Sequence, residues 1–191
     1  MAMRGSSGDS AVLDFVNQLF HVVNYARRHR VGRSRRNLDL VVYGELTSTR
    51  IDFSLYSSVQ KETFLIVQVD IYHEGREVLQ DSQARVVASA LAAFTENNAN
   101  RERMGLPQLE HKVIPGIIMN GTSPTFFMIP VSEELITHVR NGTYPSTPTV
   151  VHYCFPPIPA SPRRRSNGMV PLESRREILQ CFEAFKGLVG I

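Results

Sequence analysis

Hydrophobic and polar positions along the first third of the chain predict one helix followed by three strands. Apolar side chains recur every three or four positions in residues 11–30, the period of one face of an α-helix, and Gly32 is its expected stop. The three runs that follow are rich in β-branched and aromatic residues: "LDLVVYGELTS" (38–48), "RIDFSLYS" (50–57) and "FLIVQVDIY" (64–72). Because only short connections separate these runs, we expect them to pair as an antiparallel meander.

The third of these strands contains two polar residues inside an otherwise apolar run. Side chains alternate along a strand, so Gln68 and Asp70 share a face with Phe64 and Ile66, while the opposite face is wholly apolar. A strand that begins apolar on both faces is typical of a strand buried on both sides. We therefore expect Gln68 and Asp70 at the point where this buried strand emerges.

The remainder of the chain predicts a buried helix, a hairpin, a short helix and a last strand. Apolar residues at helical spacing between positions 83 and 94 indicate the buried helix. Two strand-like runs flank an Asn-Gly turn within residues 112–131. The short helix lies between Ser132, its expected N-cap, and Gly142, its expected stop, and residues 147–155 predict the last strand.

These elements divide the 191 residues into one domain with three shorter segments. We expect a flexible N-terminus (1–10), an α/β domain (11–155), a mobile linker rich in proline and arginine (156–171), and a C-terminal helix that packs on the domain (172–191).

The clustering of the arginines says more about function than the net charge does. With a formal net charge of +3 the chain is only mildly basic, but residues 27–36 contain six arginines and a histidine, and "RRR" occupies 163–165. Such clusters create a positive potential that a phosphate backbone or an acidic partner would feel. We expect nucleic acid as the partner, with a solvated helix end or an acidic protein partner as alternatives. The candidate nucleic-acid-binding arginines are Arg27, Arg28, Arg30, Arg33, Arg35 and Arg36.

Other classes of protein find no support in the sequence. No apolar run reaches the length of a membrane span or of a signal-peptide core followed by a cleavage site. We therefore expect an intracellular protein, nuclear or cytoplasmic, with no membrane partner. The sequence also lacks the HExxH, GxSxG, Walker and GxGxxG motifs.

The order of elements resembles the core of the restriction-endonuclease-like, or PD-(D/E)XK, superfamily, and the resemblance extends to single motifs. "RID" (50–52) is similar to the strand that carries the family's first metal-binding aspartate, and "FLIVQVD" (64–70) to the next strand, where the family places Glu-x-Lys. "QDSQARVVASAL" (80–91) resembles the following helix, and "VIPGIIMNGTSPTFFMI" (113–129) the hairpin after it in fungal and Crinkler-effector members. The match covers roughly residues 11–139. It implies an α/β fold in which helices flank a central mixed sheet with a three-strand meander.

The resemblance also implies a chemistry, which this sequence meets only in part. In the family, two carboxylates on adjacent strands hold Mg²⁺ or Mn²⁺, the metal lowers the pKa of a bound water, and a lysine orients that water towards phosphate. Asp52 takes the place of the first carboxylate, Gln68 replaces the expected glutamate, and Asp70 replaces the lysine. The implied catalytic candidates are Asp52, Gln68 and Asp70, and the implied metal ligands include Asp52 and Asp70.

Five further residues could complete such a site. Glu45 or Glu77 could supply another metal-binding carboxylate from a neighbouring element. Lys61 or Lys112 could substitute for the missing lysine, although neither has the expected position. Gln83 resembles a helix glutamine of the family near the cleft, where it would contact nucleic acid.

The expected function is a nuclease-fold module with a degenerate active site that binds nucleic acid through its basic clusters. Two alternatives stay open. One is an active nuclease that depends on Mg²⁺ or Mn²⁺ and uses Asp52, Asp70 and either Glu45 or Glu77. The other is a pseudonuclease that serves as a protein-interaction module. For Asp52 itself, a polar surface position on a half-exposed strand is an equal alternative.

Overall fold

The computed structural model of the chain describes residues 8–70, 76–158 and 167–191. These residues form a six-stranded mixed sheet flanked by four helices, so the expected α/β class is confirmed. The helices are α1 (Gly8–Val22), α2 (Arg76–Arg103), α3 (Glu133–Asn141) and α4 (Leu172–Val189). The strands are β1 (Arg30–Val42), β2 (Glu45–Ser57), β3 (Thr63–Asp70), β4 (His111–Asn120), β5 (Ser123–Ser132) and β6 (His152–Cys154).

The strands lie in chain order across the sheet, from β1 at one edge to β6 at the other. The first three form the expected antiparallel meander, and β4, β5 and β6 form a second antiparallel run. The central pair is parallel, with Ile66 of β3 opposite Gly116 of β4. A parallel pair requires a crossover connection, and α2 provides it. The predicted mixed sheet and meander are therefore confirmed.

Helices cover both faces of this sheet. α1 and α4 pack on one face, where Phe20 and Phe182 are fully buried. α2 and α3 lie on the other face, where Val86 and Phe94 are fully buried next to Ile66. Burial of each such side chain stabilises the fold by about 2 kcal/mol. Within the described ranges, none of the helices has an apolar stretch long enough to cross a membrane.

The first helix is shorter and starts earlier than the sequence predicts. α1 starts inside the expected flexible segment (1–10), and the prediction that it continues to about residue 30 is wrong. It ends at Val22 because Asn24 adopts a left-handed backbone (φ 62°) and Tyr25 turns into the core. The Tyr25 hydroxyl donates a hydrogen bond of 2.6 Å to a main-chain carbonyl of α4.

Most of the first arginine cluster lies on a strand. β1 begins at Arg30, well before the expected strand start at Leu38, and pairs with β2 as the edge strand of the sheet. Gly32, the expected helix stop, lies within β1 beside the ring of Phe53, where a Cβ would come within 2.9 Å of ring carbons. Because the ring of Phe53 lies so close to the backbone there, only glycine fits at position 32 without a shift of that ring.

Both ends of the predicted mobile linker (156–171) pack on the domain. Ile158 and Met169 are buried in the core on the α1 and α4 face. The main-chain N–H of Met169 also donates to Oγ1 of Thr122 at 3.0 Å. Residues 159–166, which include the second arginine cluster, lie outside the described residues.

The hairpin turn between β1 and β2 covers the end of α3. Ser132 and Gly142 delimit this helix as predicted: the Ser132 hydroxyl accepts an N–H at 3.2 Å, and Gly142 has a left-handed φ of 66°. The main-chain N–H groups of the turn at 43–44 donate to the carbonyls of Val139 (3.0 Å) and Arg140 (2.7 Å). These bonds satisfy helix carbonyls that have no partner within the helix.

A buried ion triad fixes the end of α2 to the start of β4. The Glu62 carboxylate, just before β3, accepts from Nη1 of Arg101 (2.8 Å) and from Nζ of Lys112 (2.6 Å). Burial alone would raise the pKa of Glu62, but the hydrogen bonds from Lys112 and Arg101 outweigh it and hold that pKa below its ordinary value of 4.5. The ionised form therefore stabilises the fold.

Replacing Gly142 by alanine should destabilise the protein by about 2–3 kcal/mol, because the added Cβ would overlap the ring of Tyr43 at a left-handed position. Gly105 is a matched control, since it is also left-handed (φ 71°) but has nothing within 4 Å of the added Cβ. Gly105→Ala should cost only about 1 kcal/mol. Urea unfolding measures both values, and equal costs would contradict the contact between the hairpin turn and α3.

Replacing Glu62 by glutamine should lower the free energy of unfolding by about 1–2 kcal/mol at neutral pH. A carboxylate whose folded pKa is depressed contributes stability above its unfolded pKa and loses it as the pH falls through the folded pKa. Urea unfolding across an acid pH series should therefore show wild type and Glu62→Gln converging below pH 4.5. The exposed Glu133→Gln is the control. A difference that stays constant with pH would contradict the role of the ionised carboxylate.

Candidate functional site

Strands β2 and β3 separate at Asp52, and side chains replace the missing ladder bonds. Main-chain pairing between the two strands ends one residue away, at Phe53. Beyond that point, Oδ2 of Asp52 accepts the N–H of Val69 (2.9 Å), and Nε2 of Gln68 donates to the carbonyl of Arg50 (3.2 Å). Buried backbone groups need hydrogen-bond partners. Polar side chains are therefore needed where the strands part.

The side chains of β1 and β2 exchange faces at the same level. Ser34 pairs with Phe53 and Arg36 pairs with Ile51, and the pairing is interrupted between them at Arg35, which has a left-handed backbone with φ of 52°. Ile51 packs in the core under α2, whereas Phe53 packs in the core under α1 and α4. Residues two apart share a face in a regular strand, so this exchange requires an irregular position. Asp52 sits at that position and is only 6% exposed, so the surface alternative for it is wrong.

The polar residues of β2 and β3 converge on an arginine of α2. Nη2 of Arg85 donates to Oδ2 of Asp52 (3.1 Å) and to Oε1 of Gln68 (3.0 Å), and Nη1 donates to Oδ1 of Asp70 (3.3 Å). These four residues are termed the Arg85 cluster. Gln68 is fully buried, so the expectation that it lies where the strand emerges is wrong for that residue. The side chain of Asp70 is 13% exposed and that of Arg85 is 44% exposed.

Two serines of α2 hold the acceptors of the cluster in place. The hydroxyl of Ser82 donates to Oδ2 of Asp70, and that of Ser89 accepts from Nε2 of Gln68 (2.8 Å). Positions 82, 85 and 89 lie on one face of a helix because they are three and four residues apart. A second guanidinium lies at the rim, since Nε of Arg50 is 3.6 Å from Oδ1 of Asp52.

The cluster fits an arginine rather than a divalent metal ion. Mg²⁺ takes oxygen ligands at about 2.1 Å and is held in proteins through carboxylates. Here the Asp52, Gln68 and Asp70 oxygens face the guanidinium of Arg85, which already supplies a positive charge at the point they share. A metal ion would have to displace that group. Among the residues that the structure describes, no three His, Cys, Asp or Glu side chains are placed to hold one ion together.

The structure does not bring the other predicted ligands to the cluster. Glu45 is the exposed first residue of β2, seven residues before Asp52, which puts it about 23 Å away along the strand. Its predicted place in the site is therefore wrong. The side chain of Glu77 lies outside the described residues. Gln83 is half-buried in an apolar groove beside Leu40 and turns away from the cluster, so its predicted position at the cleft is also wrong.

Neither candidate lysine reaches the cluster. Lys61 precedes the first residue of β3, whereas Asp70 is the last residue of that strand, about 25 Å further on. Lys112 is paired with Glu62 at the same distant end. Neither Lys61 nor Lys112 can therefore replace the missing lysine, because both lie at the start of β3 and the cluster lies at its end.

The six candidate arginines lie along one edge of the sheet and in the connection before it. They are termed the arginine edge: Arg27, Arg28, Arg30, Arg33, Arg35 and Arg36. Arg27, Arg28 and Arg35 are exposed. In the part of the chain that the structure describes, none of these three has a carboxylate within salt-bridge distance.

Two other members of the arginine edge have partners within the fold. Nη2 of Arg36 is 2.6 Å from a carboxylate oxygen of Glu96 on α2. The guanidinium carbon of Arg33 lies 3.4 Å from the ring centroid of Tyr56, a cation–π contact. These contacts fix the middle of β1 against β2 and α2.

Sequence reasoning missed Arg85, the central residue of the site. It lies within "SQARVVAS", where Ser82, Arg85 and Ser89 recur at helical spacing in a helix that is otherwise apolar on its buried sides. These three polar residues on one helix face could have identified Arg85, because a buried helix face carries polar residues where polar groups of the sheet lie opposite.

Comparisons with known proteins found nothing that matches this chain: no protein-family model, no curated protein and no solved structure. The Arg85 cluster and the arginine edge are therefore the features from which a function can be inferred.

Proposed function

We propose that this protein is a nucleic-acid-binding module, in which the arginine edge contacts a phosphate backbone and the Arg85 cluster is a degenerate nuclease-type site. The observation that carries the proposal is the position of Arg35. This exposed arginine lies between Ser34 and Arg36, whose partners in β2 are Phe53 and Ile51, the two neighbours of Asp52. The arginine edge and the Arg85 cluster therefore meet across two adjacent strands of the sheet.

Charge supports this function. Arg27, Arg28 and Arg35 are exposed and lack carboxylate partners in the described ranges, and the side chain of Arg50 is 54% exposed at the rim of the cluster. The arginine edge therefore carries the positive charge, whereas Arg50 and Arg85 are balanced by the Asp52 and Asp70 carboxylates within the cluster. Guanidinium groups bind phosphate through charge and paired N–H donors.

The dimensions of the arginine edge suit a backbone and not a single phosphate. The stretch from Arg30 to Arg36 spans about 20 Å of extended strand. Along one strand of B-form DNA, phosphates follow one another about every 3.4 Å of helix axis, so this stretch matches several of them. Contacts of this kind position a protein on nucleic acid with little preference for sequence.

The composition of the cluster supports binding over catalysis. Gln68 contributes a neutral amide where the resembled family has a carboxylate, and the guanidinium of Arg85 occupies the point on which Asp52 and Asp70 converge. Activation of water by a metal needs an ion with an open coordination position. Mg²⁺ and Mn²⁺ therefore have no part in the proposed function.

Removing three charges from the arginine edge should weaken nucleic-acid binding selectively. The variant is Arg27→Ala/Arg28→Ala/Arg35→Ala, and the matched control removes three exposed arginines elsewhere, Arg103→Ala/Arg140→Ala/Arg176→Ala. Both variants lower the formal net charge from +3 to 0. Fluorescence anisotropy with labelled single- and double-stranded DNA and RNA measures Kd over a salt series.

We expect Kd to rise at least about 10-fold in the edge variant, with a shallower dependence on salt, and less than about 2-fold in the control. Two results would overturn the proposal: no binding of any of these nucleic acids at low salt, or equal losses in both triple variants. Tight binding to an acidic polypeptide in the absence of nucleic-acid binding would support the protein-interaction alternative instead.

The wild-type protein should not hydrolyse nucleic acid in Mg²⁺ or Mn²⁺. The same labelled substrates, analysed on denaturing gels, test this expectation against the variant Asp52→Ala/Asp70→Ala. Cleavage by the wild type that this variant loses would show that the cluster is an active nuclease site and would overturn the inactive part of the proposal. Cleavage that the variant retains would come from a contaminant.

A further inference from the structure

We infer that Arg85 takes the place of a metal ion in this fold: its guanidinium is the built-in cation of the cluster, and its charge keeps divalent cations out. Asp52, Gln68 and Asp70 could therefore bind a divalent cation if Arg85 did not occupy the space between them. The inference does not depend on nucleic-acid binding, since it follows from the contacts of Arg85 alone.

The first step is the convergence of acceptors. Oxygen atoms of Asp52, Gln68 and Asp70, from two strands, all lie within 3.3 Å of the two terminal nitrogens of Arg85. One of these nitrogens, Nη2, contacts both the Asp52 and the Gln68 oxygen. Three oxygens gathered around one guanidinium can serve as cation ligands, and the guanidinium supplies the charge that the set requires.

The second step is that the acceptors are held independently of Arg85. A main-chain N–H of β3 holds Oδ2 of Asp52 at 2.9 Å, Ser89 accepts the amide of Gln68 at 2.8 Å, and Ser82 donates to Asp70. Supporting hydrogen bonds of this kind orient the ligands in metal sites. The oxygens should therefore keep their positions when the guanidinium is removed.

The third step is charge. The Asp52 and Asp70 side chains are only 8% and 13% exposed, so an uncompensated pair of carboxylates here is costly. Arg50 offsets Asp52 only weakly, from 3.6 Å and with half of its side chain in water. Arg85 contacts both carboxylates at once, so loss of its charge makes the potential between them more negative, which favours a small divalent cation.

The test replaces Arg85 by methionine in the full chain, which keeps an unbranched apolar stem and removes the guanidinium with its charge. Mn²⁺ binding is measured from the loss of the EPR signal of free Mn²⁺, and Mg²⁺ binding by calorimetry. We expect Arg85→Met to bind one Mn²⁺ at least about 10-fold more tightly than wild type, and Arg85→Met/Asp52→Asn to lose that gain. Arg140→Met, which removes an exposed arginine far from the cluster, should behave as wild type.

A second variant separates charge from shape. Arg85→Lys keeps a positive charge but not the planar group that contacts three acceptors, and it should still exclude Mn²⁺. Entry of Mn²⁺ into Arg85→Lys as readily as into Arg85→Met would overturn exclusion by charge. So would binding of Mn²⁺ by the wild type that Asp52→Asn abolishes.

The stability of Arg85→Met gives a second test, because this variant lacks the positive charge that pairs with the buried Asp52 and Asp70 carboxylates. Thermal unfolding with and without Mn²⁺ should show stabilisation of Arg85→Met by the ion and no such shift in wild type. A folded Arg85→Met that holds no Mn²⁺, or one that stays unfolded at millimolar Mn²⁺, would overturn the inference, since the ion then does not replace the guanidinium. These results leave the proposal of nucleic-acid binding untouched, because the binding test changes no residue of the Arg85 cluster.

Discussion

The separation of β2 from β3 at Asp52 is the constraint on which the functional part of this structure depends. Two strands that part inside a protein leave main-chain groups without ladder partners, and buried groups of this kind must be satisfied. Asp52 and Gln68 satisfy them, which brings a carboxylate and an amide into the core. Oε1 of Gln68 and the charged carboxylate of Asp52, whose Oδ2 already accepts the Val69 N–H, then require a further donor. Arg85 meets that requirement and ties α2 to both strands.

The position of α2 follows from contacts at both ends of β3. At one end the helix places Ser82 and Arg85 beside Asp70. At the other end the side chain of Asn97 accepts the N–H of Thr63 at 2.7 Å and donates to its carbonyl at 2.8 Å. Polar contacts thus fix the register of the crossover helix along a strand whose middle is apolar on both faces. Side chains of the helix could not slide by a turn without leaving buried groups unpaired.

The sequence predicts well those elements that obey a single period. The meander, the parallel crossover helix and the capped helix α3 are of this kind, because alternation and helical spacing reflect which face is buried. β1 is not, since its first half carries arginines in place of apolar residues and its faces exchange at Arg35. The residues of the site likewise fall into those that the sequence predicts and those that it does not. Asp52, Gln68 and Asp70 are polar residues in apolar strands and stand out, whereas the distance of Glu45 and the role of Arg85 depend on how three elements pack.

The backbone of Arg35 links the arginine edge to the cluster. A left-handed conformation costs a non-glycine residue about 1–2 kcal/mol, and glycine would adopt it freely. In the described part of the chain, the exposed Arg35 side chain makes no hydrogen bond, ion pair or ring contact that could offset this cost. The irregular backbone is needed to turn Asp52 into the cluster, but an arginine side chain is not. A charged and exposed side chain at this position is the feature of the arginine edge on which the proposal of an anionic partner rests.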